Sequence, residues 1–398
     1  MNPNIGKLVT IAGKERRRIL GLMSGTSLDG LDIALCNIRE SGISTRLFLE
    51  RFTTVPYDES FKLEVRKVFA KTFVDLQWLC VLNAHIGRVH GEIILNTLAE
   101  WGVPPEEIDL IASHGQTVFH APHSVHGLEG YPNATLQIGD GDHIAVQTGI
   151  LTVSDFRQKH VAAGGEGAPL AVYGDFLLFS DAHEDRVLLN LGGIANFTFL
   201  PRSRESTQVF TTDTGPANTL MDACCQRDFN LPFDAEGSIA RSGSVNTALL
   251  EDLLSDPFFK LPFPKSTGPE RFNLSYLWEA QLRTQTEGLS PTDLLSTLTH
   301  LTAESVGSAI RRSVPNNAKP VIYASGGGAN NPYLMELIKQ KAANFELRQM
   351  ETLGIPGDAK EAVLFALLAN EAIAASIPAM EGRREQPALS LGKISFPT

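Results

Sequence analysis

Residues 19–38 read Ile19-Leu20-Gly21-Leu22-Met23-Ser24-Gly25-Thr26-Ser27-Leu28-Asp29-Gly30-Leu31-Asp32-Ile33-Ala34-Leu35-Cys36-Asn37-Ile38. Two apolar stretches flank a turn made almost wholly of small and polar residues, Ser24 to Gly30. That pattern predicts a β-hairpin, with a strand from Arg18 to Met23 and a second from Leu31 to Ile38. Leu47 to Phe52 adds a third strand. Gly25 and Gly30 have the spacing of P-loop glycines, but Leu31 stands where that motif needs lysine, so a Walker A loop is excluded. A turn of Gly, Ser and Thr still presents backbone N–H groups and hydroxyls to a phosphate. Asp29 within it suits a divalent metal, because magnesium takes carboxylate and phosphate oxygens. A plain tight turn is the other reading of this segment taken alone.

Working outward, residues 1–17 read as a loose leader and residues 58–100 as helical. Asp109 to Ser113 reads as a short buried strand running into His114-Gly115-Gln116-Thr117. A second series then begins. Arg186 to Leu191 is a strand, Gly192-Gly193-Ile194-Ala195-Asn196 a turn, and Phe197 to Leu200 the returning strand. Val209 to Thr212 is a further strand, ending at Asp213-Thr214-Gly215-Pro216. Residues 292–313 carry an apolar stripe at helical spacing. Val321 to Ala324 is a buried strand that ends in Gly326-Gly327-Gly328-Ala329-Asn330. Asp358 to Ala375 reads as a helix with Asp358 as its N-cap. Strands alternate with helices, so the fold class is α/β. Two similar strand–glycine turn–strand units predict a duplicated architecture with a cleft between its halves.

Three glycine turns at strand ends, at Gly25, at Gly192 and Gly193, and at Gly326 to Gly328, favour a nucleotide bound beyond those ends. Asp213, at a strand end, can act as a general base, or it can cap its own loop as an Asx-turn. Asp155-Phe156-Arg157 offers another acid, and Arg157 can pair with it internally or grip a substrate carboxylate through its planar fork. His114 and Gln116 provide the hydrogen bonds that sugar hydroxyls need; a structural loop is the alternative. His120, His123 and His126 recur at intervals of three and are read as a polar surface loop, not a metal site.

Composition narrows the partners. The 398 residues carry a net charge of −11, which excludes bulk electrostatic affinity for nucleic acid or an anionic membrane. The 4 cysteines contain no CxxC pair and cannot form a disulfide scaffold. No signal peptide and no membrane span is legible, and a cytoplasmic location is expected.

Together these segments resemble the anhydro-N-acetylmuramic acid kinases. The first glycine turn, Gly21 to Gly30, opens that family. Ser113-His114-Gly115-Gln116-Thr117, Gln137-Ile138-Gly139-Asp140, Asp155-Phe156-Arg157 and Ala162-Ala163-Gly164-Gly165-Glu166-Gly167-Ala168-Pro169 are similar to its next blocks. Asn190 to Asn196, Asp213 to Pro216, Gly268-Pro269-Glu270-Arg271-Phe272-Asn273 and Gly326 to Gly328 complete the series. His160 and Glu166 depart from the Asp and Gln usual there.

The resemblance implies two duplicated actin/hexokinase-like domains of ribonuclease H-like type around an ATP cleft. They are placed at 1–150 and 151–398, with the C-terminal tail packing back on the first. It implies ATP-dependent, hydrolytic opening of 1,6-anhydro-N-acetylmuramic acid to N-acetylmuramic acid 6-phosphate in peptidoglycan recycling. The ATP phosphates are assigned to Gly25, Thr26, Ser27, Leu28, Asp29, Gly30, Leu31 and Asp32, with Gly192, Gly193, Asn196, Gly326, Gly327 and Gly328 also on the nucleotide. Asp213 is then the catalytic base and Asp29 the Mg²⁺ carboxylate, while Glu361, His114, Gln116, Asp155 and Arg157 face the sugar. A homodimer is expected. A kinase of another anhydrosugar such as levoglucosan, and a non-catalytic actin-like nucleotide-binding protein, are the alternatives. A plain glycoside hydrolase would need no nucleotide turns.

Overall fold

The computed structural model describes residues 2–168, 170–315, 317–342, 344–375 and 389–398. The chain divides into two units, Met1–Leu178 with Gly354–Thr398, and Phe179–Leu353.

In unit 1, β1 (Arg16–Ser24), β2 (Gly30–Arg39) and β3 (Arg46–Pro56) form an antiparallel meander. β4 (Leu110–Ala121) pairs in parallel with β1; β5 (Ala134–Ile138) pairs antiparallel with the far half of β4. β6 (Thr152–Ser154) lies parallel to β4. That pairing puts residue 151 inside unit 1, so the boundary expected at 150/151 moves to 178/179. Both faces of this sheet are covered, which is why its strands read as apolar runs without alternation. Leu20, Leu22, Ile33 and Leu35 bury one face in a cluster with Ile86 and Ile94 of the helix Leu76–Trp101.

Residues 1–17 are not a loose leader. Pro3–Ala12 is a helix whose N-cap Asn2 accepts the amide of Asn4. Arg17 is buried, donating from Nε to Asn370 Oδ1 at 2.6 Å and from Nη2 to Glu40 O at 2.7 Å. The helical stretch 58–100 is likewise two helices, Glu59–Arg66 and Leu76–Trp101, because the Asp75 side chain caps the second by accepting from Trp78 N.

Unit 2 repeats the plan. β7 (Arg186–Leu191), β8 (Ile194–Leu200) and β9 (Phe210–Pro216) form a meander; β10 (Val321–Ser325) lies parallel to β7 and β11 (Glu346–Gln349) parallel to β10. Leu189, Leu191 and Phe197 pack with Leu298 and Leu301 of the helix Pro291–Ser313. The chain then returns to unit 1 as the helix Lys360–Ala374 and the strand β12 (Lys393–Ser395), antiparallel to β6. Gly21 lets that helix sit on the second face of the unit 1 sheet, since a Cβ there would lie 2.0 Å from Ala362 O. Asp358 does not cap it; a short 3-10 turn, Gly357–Ala359, leads straight in and Ala359 holds the cap position.

The sheet orders are β3-β2-β1-β4-β6-β12 and β9-β8-β7-β10-β11. Read from the meander, each runs third, second, first, fourth strand and then one later strand in parallel, β6 in unit 1, where β5 pairs with β4 off this path and β12 adds an edge, and β11 in unit 2. This is the duplicated, ribonuclease H-like α/β fold. No helix among the described residues is long and apolar enough to cross a membrane.

Candidate functional site

In unit 1 the first glycine turn stands at the tip of the β1–β2 hairpin. Thr26, Ser27 and Asp29 are exposed, while Leu28 adopts φ +60° and turns its side chain into the core. A Cβ on Gly25 would meet nothing nearer than Ser27 Oγ at 3.6 Å, so the backbone there is open to approach. Beneath the turn runs a buried chain of hydrogen bonds. Gln116 Nε2 donates to Gly25 O at 3.3 Å, Ser24 Oγ donates to Gln116 Oε1 at 2.5 Å, and Tyr57 OH donates to Ser24 Oγ at 2.9 Å. The phenol proton is thus committed to Ser24. The 2.8 Å contact between Tyr57 OH and His90 Nε2 therefore has the imidazole N–H as donor. Burial lowers His90 to about 4, so it is the neutral Nε2–H tautomer.

Gln116 is therefore a support of the turn, buried with its amide engaged, where the sequence placed it against sugar. His114 is buried as well. Its Nε2 accepts from Arg157 Nε at 2.8 Å, which leaves Nδ1–H to donate to Gly115 O at 2.9 Å. Burial, with the Arg157 charge adding to it, lowers His114 to about 3. This neutral ring, packed on Phe365 with centroids 4.7 Å apart, orients the guanidinium, whose Nη1 donates to Gly167 O at 2.7 Å. Asp155 does not pair with Arg157; its Oδ2 accepts from Lys393 Nζ at 2.5 Å, and its backbone lies at φ +54°. Glu361, in the first turn of the helix Lys360–Ala374, has a carboxyl raised by desolvation. Arg157 lowers it in return, and Asp32 raises it.

Asp32 is raised by desolvation and by the nearby Asp358 and Asp29, with a 2.6 Å hydrogen bond from Thr54 opposing. A divalent cation would relieve that mutual repulsion. Among the described residues no cluster of three or more His, Cys, Asp or Glu forms a metal cage. One exposed carboxylate, Asp29, with phosphate oxygens and waters fits magnesium, which asks for no such cage. His160, at one departing position, is buried and accepts from Gly167 N at 2.9 Å; Glu166, at the other, is exposed. Pro169, which ends that block, lies outside the described residues. His123 and His126 sit on a short exposed helix, His123–His126.

In unit 2, β9 extends through Pro216, so Asp213 lies within the strand and not beyond its end. A register shift in β8 between Ala195 and Asn196 sets Asn196 opposite Asp213. Asn196 also pairs with Asn190, and Asn190 with Ser325, so four half-buried polar residues form one row across the sheet. Asp213 Oδ2 accepts from Thr267 N at 2.7 Å, and Asp213 N donates to Lys265 O at 2.9 Å. Its acceptor bond thus goes to a distant segment and not to its own turn. Desolvation raises the Asp213 carboxyl and the Thr267 bond holds it back. Among the described residues Oδ1 accepts no hydrogen bond.

The remaining two glycine turns meet around Asn218, the first residue of the helix Asn218–Phe229. Asn218 N donates to Gly192 O at 3.0 Å and its Nδ2 to Leu191 O at 3.0 Å. Gly326 has φ +83°, and a Cβ on it would lie 2.7 Å from Asn190 Oδ1 and 2.9 Å from Leu191 O. Gly192, Gly193, Gly326 and Gly327 keep their backbones accessible. Open amides beside a helix N-terminus suit phosphate oxygens. Sequence reading did not single out Ser24, Tyr57, His90, Asn218 or Thr267; only the placement of Ser24, inside the first turn, offered a signal.

A model of the anhydro-N-acetylmuramic acid kinase family matches residues 17–396. The anhydro-N-acetylmuramic acid kinase of Pseudoalteromonas atlantica is 50% identical over 401 residues, covering 100% of both chains. That of Caldanaerobacter subterraneus is 37% identical, covering 98% of this chain and 100% of its own. The activator of 2-hydroxyisocaproyl-CoA dehydratase from Clostridium difficile, solved with bound ADPNP, is similar at a TM-score of 0.41 and 12% identity, covering 89% of this chain and 94% of its own. By its sequence matches the chain is a kinase. It belongs to the anhydro-N-acetylmuramic acid kinase family.

Proposed function

We propose that the chain transfers the γ-phosphoryl group of ATP to O6 of 1,6-anhydro-N-acetylmuramic acid while water opens the anhydro bridge. The products are N-acetylmuramic acid 6-phosphate and ADP, and the reaction belongs to peptidoglycan recycling. The observation that carries this reading is Asp213. One of its carboxylate oxygens is fixed by Thr267 N–H, the other is free of protein donors among the described residues, and desolvation keeps the group basic.

In this scheme Asp213 takes a proton from water as the water oxygen bonds to C1. The C1–O6 bond breaks and its electron pair stays on O6. O6 then bonds to phosphorus as the bond to ADP breaks. Backbone amides of the turns at Gly25, Gly192 and Gly193 receive phosphate oxygens. Asp29 would hold Mg²⁺, which supplies charge neutralisation on the transferring group. Arg157, oriented by neutral His114, fits the lactyl carboxylate. Glu361, raised by desolvation, fits a sugar hydroxyl.

Incubation with ATP, Mg²⁺ and a panel of anhydrosugars in ¹⁸O-water tests this. The expected result is ADP and a sugar phosphate with label at C1 and none in the phosphate ester. Label in the phosphate would overturn the scheme. Equal turnover of levoglucosan would remove the carboxylate from recognition, and no ADP with any sugar would leave a nucleotide-binding protein.

A further inference from the structure

Lys265 is 8% exposed, and among the described residues it makes no ion pair. Its Nζ lies 4.2 Å from the ring centroid of Phe258, 4.8 Å from Phe263 and 5.9 Å from Phe259. Burial, with the like-charged Arg312 adding to it, lowers the ammonium to about 8. An apolar side chain of similar length would fill this phenylalanine box without the desolvation cost of a cation. The ammonium adds cation–π attraction and one hydrogen bond, from Nζ to Phe258 O at 2.8 Å.

That bond pins a segment whose backbone is clasped to β9. Lys265 N donates to Thr212 Oγ1 at 3.0 Å, and Lys265 O accepts from Asp213 N at 2.9 Å. Two residues on, Thr267 N reaches Asp213 Oδ2. The block that follows, Gly268 to Asn273, fastens the other end. Arg271 Nη2 donates to Asp256 Oδ1 at 2.6 Å, and the buried Phe272 ring lies 5.4 Å from Phe258. The short helix Pro257–Lys260, which carries Phe258, is thus the anchor for both sides of the segment.

We infer that Lys265 is a positioning residue for Asp213: pinned to Phe258 O within its phenylalanine box, it holds the 265–267 segment so that Thr267 N–H stays on the carboxylate. The inference rests on the reading of Asp213 as the base. With Lys265 in place, the carboxylate form is favoured and the base works to lower pH. Without it, Asp213 keeps its desolvation and loses its donor, so its carboxyl rises.

The test is Lys265→Met, which keeps length and apolar contact, with Lys265→Gln beside it. Thermal melting reports the fold, and kcat is followed against pH. A hydrogen bond to a charged group corresponds to about one pH unit. The acid limb of kcat should move up by about that amount, with turnover on the limb down roughly tenfold and KM for ATP unchanged. A merely structural lysine would alter melting and leave the limb in place. A folded variant with the wild-type limb overturns the inference. Loss of the fold in both variants also overturns it, by making Lys265 a residue of the core alone. Asp213→Asn is measured in parallel. If it is inactive while Lys265→Met behaves as wild type, only the role of Lys265 falls; if it turns over normally, the base assignment falls with it.

Discussion

Replacing His114 with Phe separates two contributions of one side chain. The ring packs on Phe365, and Nε2 accepts the Nε–H of Arg157 at 2.8 Å. Phe keeps the first contact and removes the second, together with the Nδ1–H bond to Gly115 O, whose loss bears on stability and not on the guanidinium. A hydrogen bond from a charged donor contributes about 1.5–3 kcal/mol. Arg157 is half-buried and keeps its bond to Gly167 O, so water can occupy part of the vacated place and the lower figure applies. About 1.5 kcal/mol is roughly a factor of ten. The loss should fall on the ground-state grip of a carboxylate. KM for 1,6-anhydro-N-acetylmuramic acid should rise about tenfold, with kcat held within about twofold and KM for ATP unmoved. Levoglucosan, which has no carboxylate, should show no difference between the two proteins. Steady-state ADP release on the folded variant measures all three. An unchanged KM, or the same rise for both sugars, would refute the chain from His114 to Arg157 to carboxylate.

Three further outcomes are expected. Asp213→Asn keeps shape but cannot accept a proton, so kcat should fall by about 10² to 10⁴ with melting temperature little changed; wild-type turnover would exclude it as base. His90 and His114 are held neutral in the fold, lowered to about 4 and about 3 by burial. The unfolded chain takes up protons at these positions below the usual histidine pKa while the native chain does not. Stability is therefore full above about pH 6.5 and lost as pH falls toward 4, by about 1.4 kcal/mol per unit for each histidine. Denaturant melts at pH 7, 6 and 5 measure the slope, and a flat profile would contradict the buried neutral tautomers. Tyr57→Phe removes the donor on Ser24 and strands His90 Nε2–H, costing about 1–3 kcal/mol of stability. It should also raise KM for ATP more than KM for sugar, as paired titrations would reveal.

The hairpin at Gly25 and its counterpart at Gly192 were legible because small polar residues between apolar runs have one economical conformation. The duplicated sheet followed from finding that pattern twice. Asp213 was legible as a residue type but misplaced, since strand β9 continues through Thr214, Gly215 and Pro216, residues that locally favour a turn. The unit boundary had no local signal, because β6 has 3 residues and is defined by its partner β4. The N-terminal helix escaped because its anchors are tertiary: Asn4 Nδ2 donates to Pro397 O at 2.8 Å, and Arg17 Nη1 of β1 donates to Ala12 O at 3.3 Å. Tyr57, His90 and Thr267 were invisible for the same reason. Their chemistry arises only when the fold carries them under the turn or onto Asp213.

Unit 1 is written at both ends of the chain, and this sets an order of events during synthesis. Unit 2 has every strand of its sheet once residue 349 has emerged. At that moment the unit 1 sheet still lacks the helix Lys360–Ala374 that covers Gly21 and the strand β12 that borders β6. At translation speeds of 5–20 residues per second, the span of unit 2 alone occupies roughly 10–35 s. The first unit to begin is therefore the last to finish, and for that interval one face of its sheet waits on the ribosome as apolar surface. Emergence of the helix Lys360–Ala374 and of β12, not of the first strands, is the event that closes it.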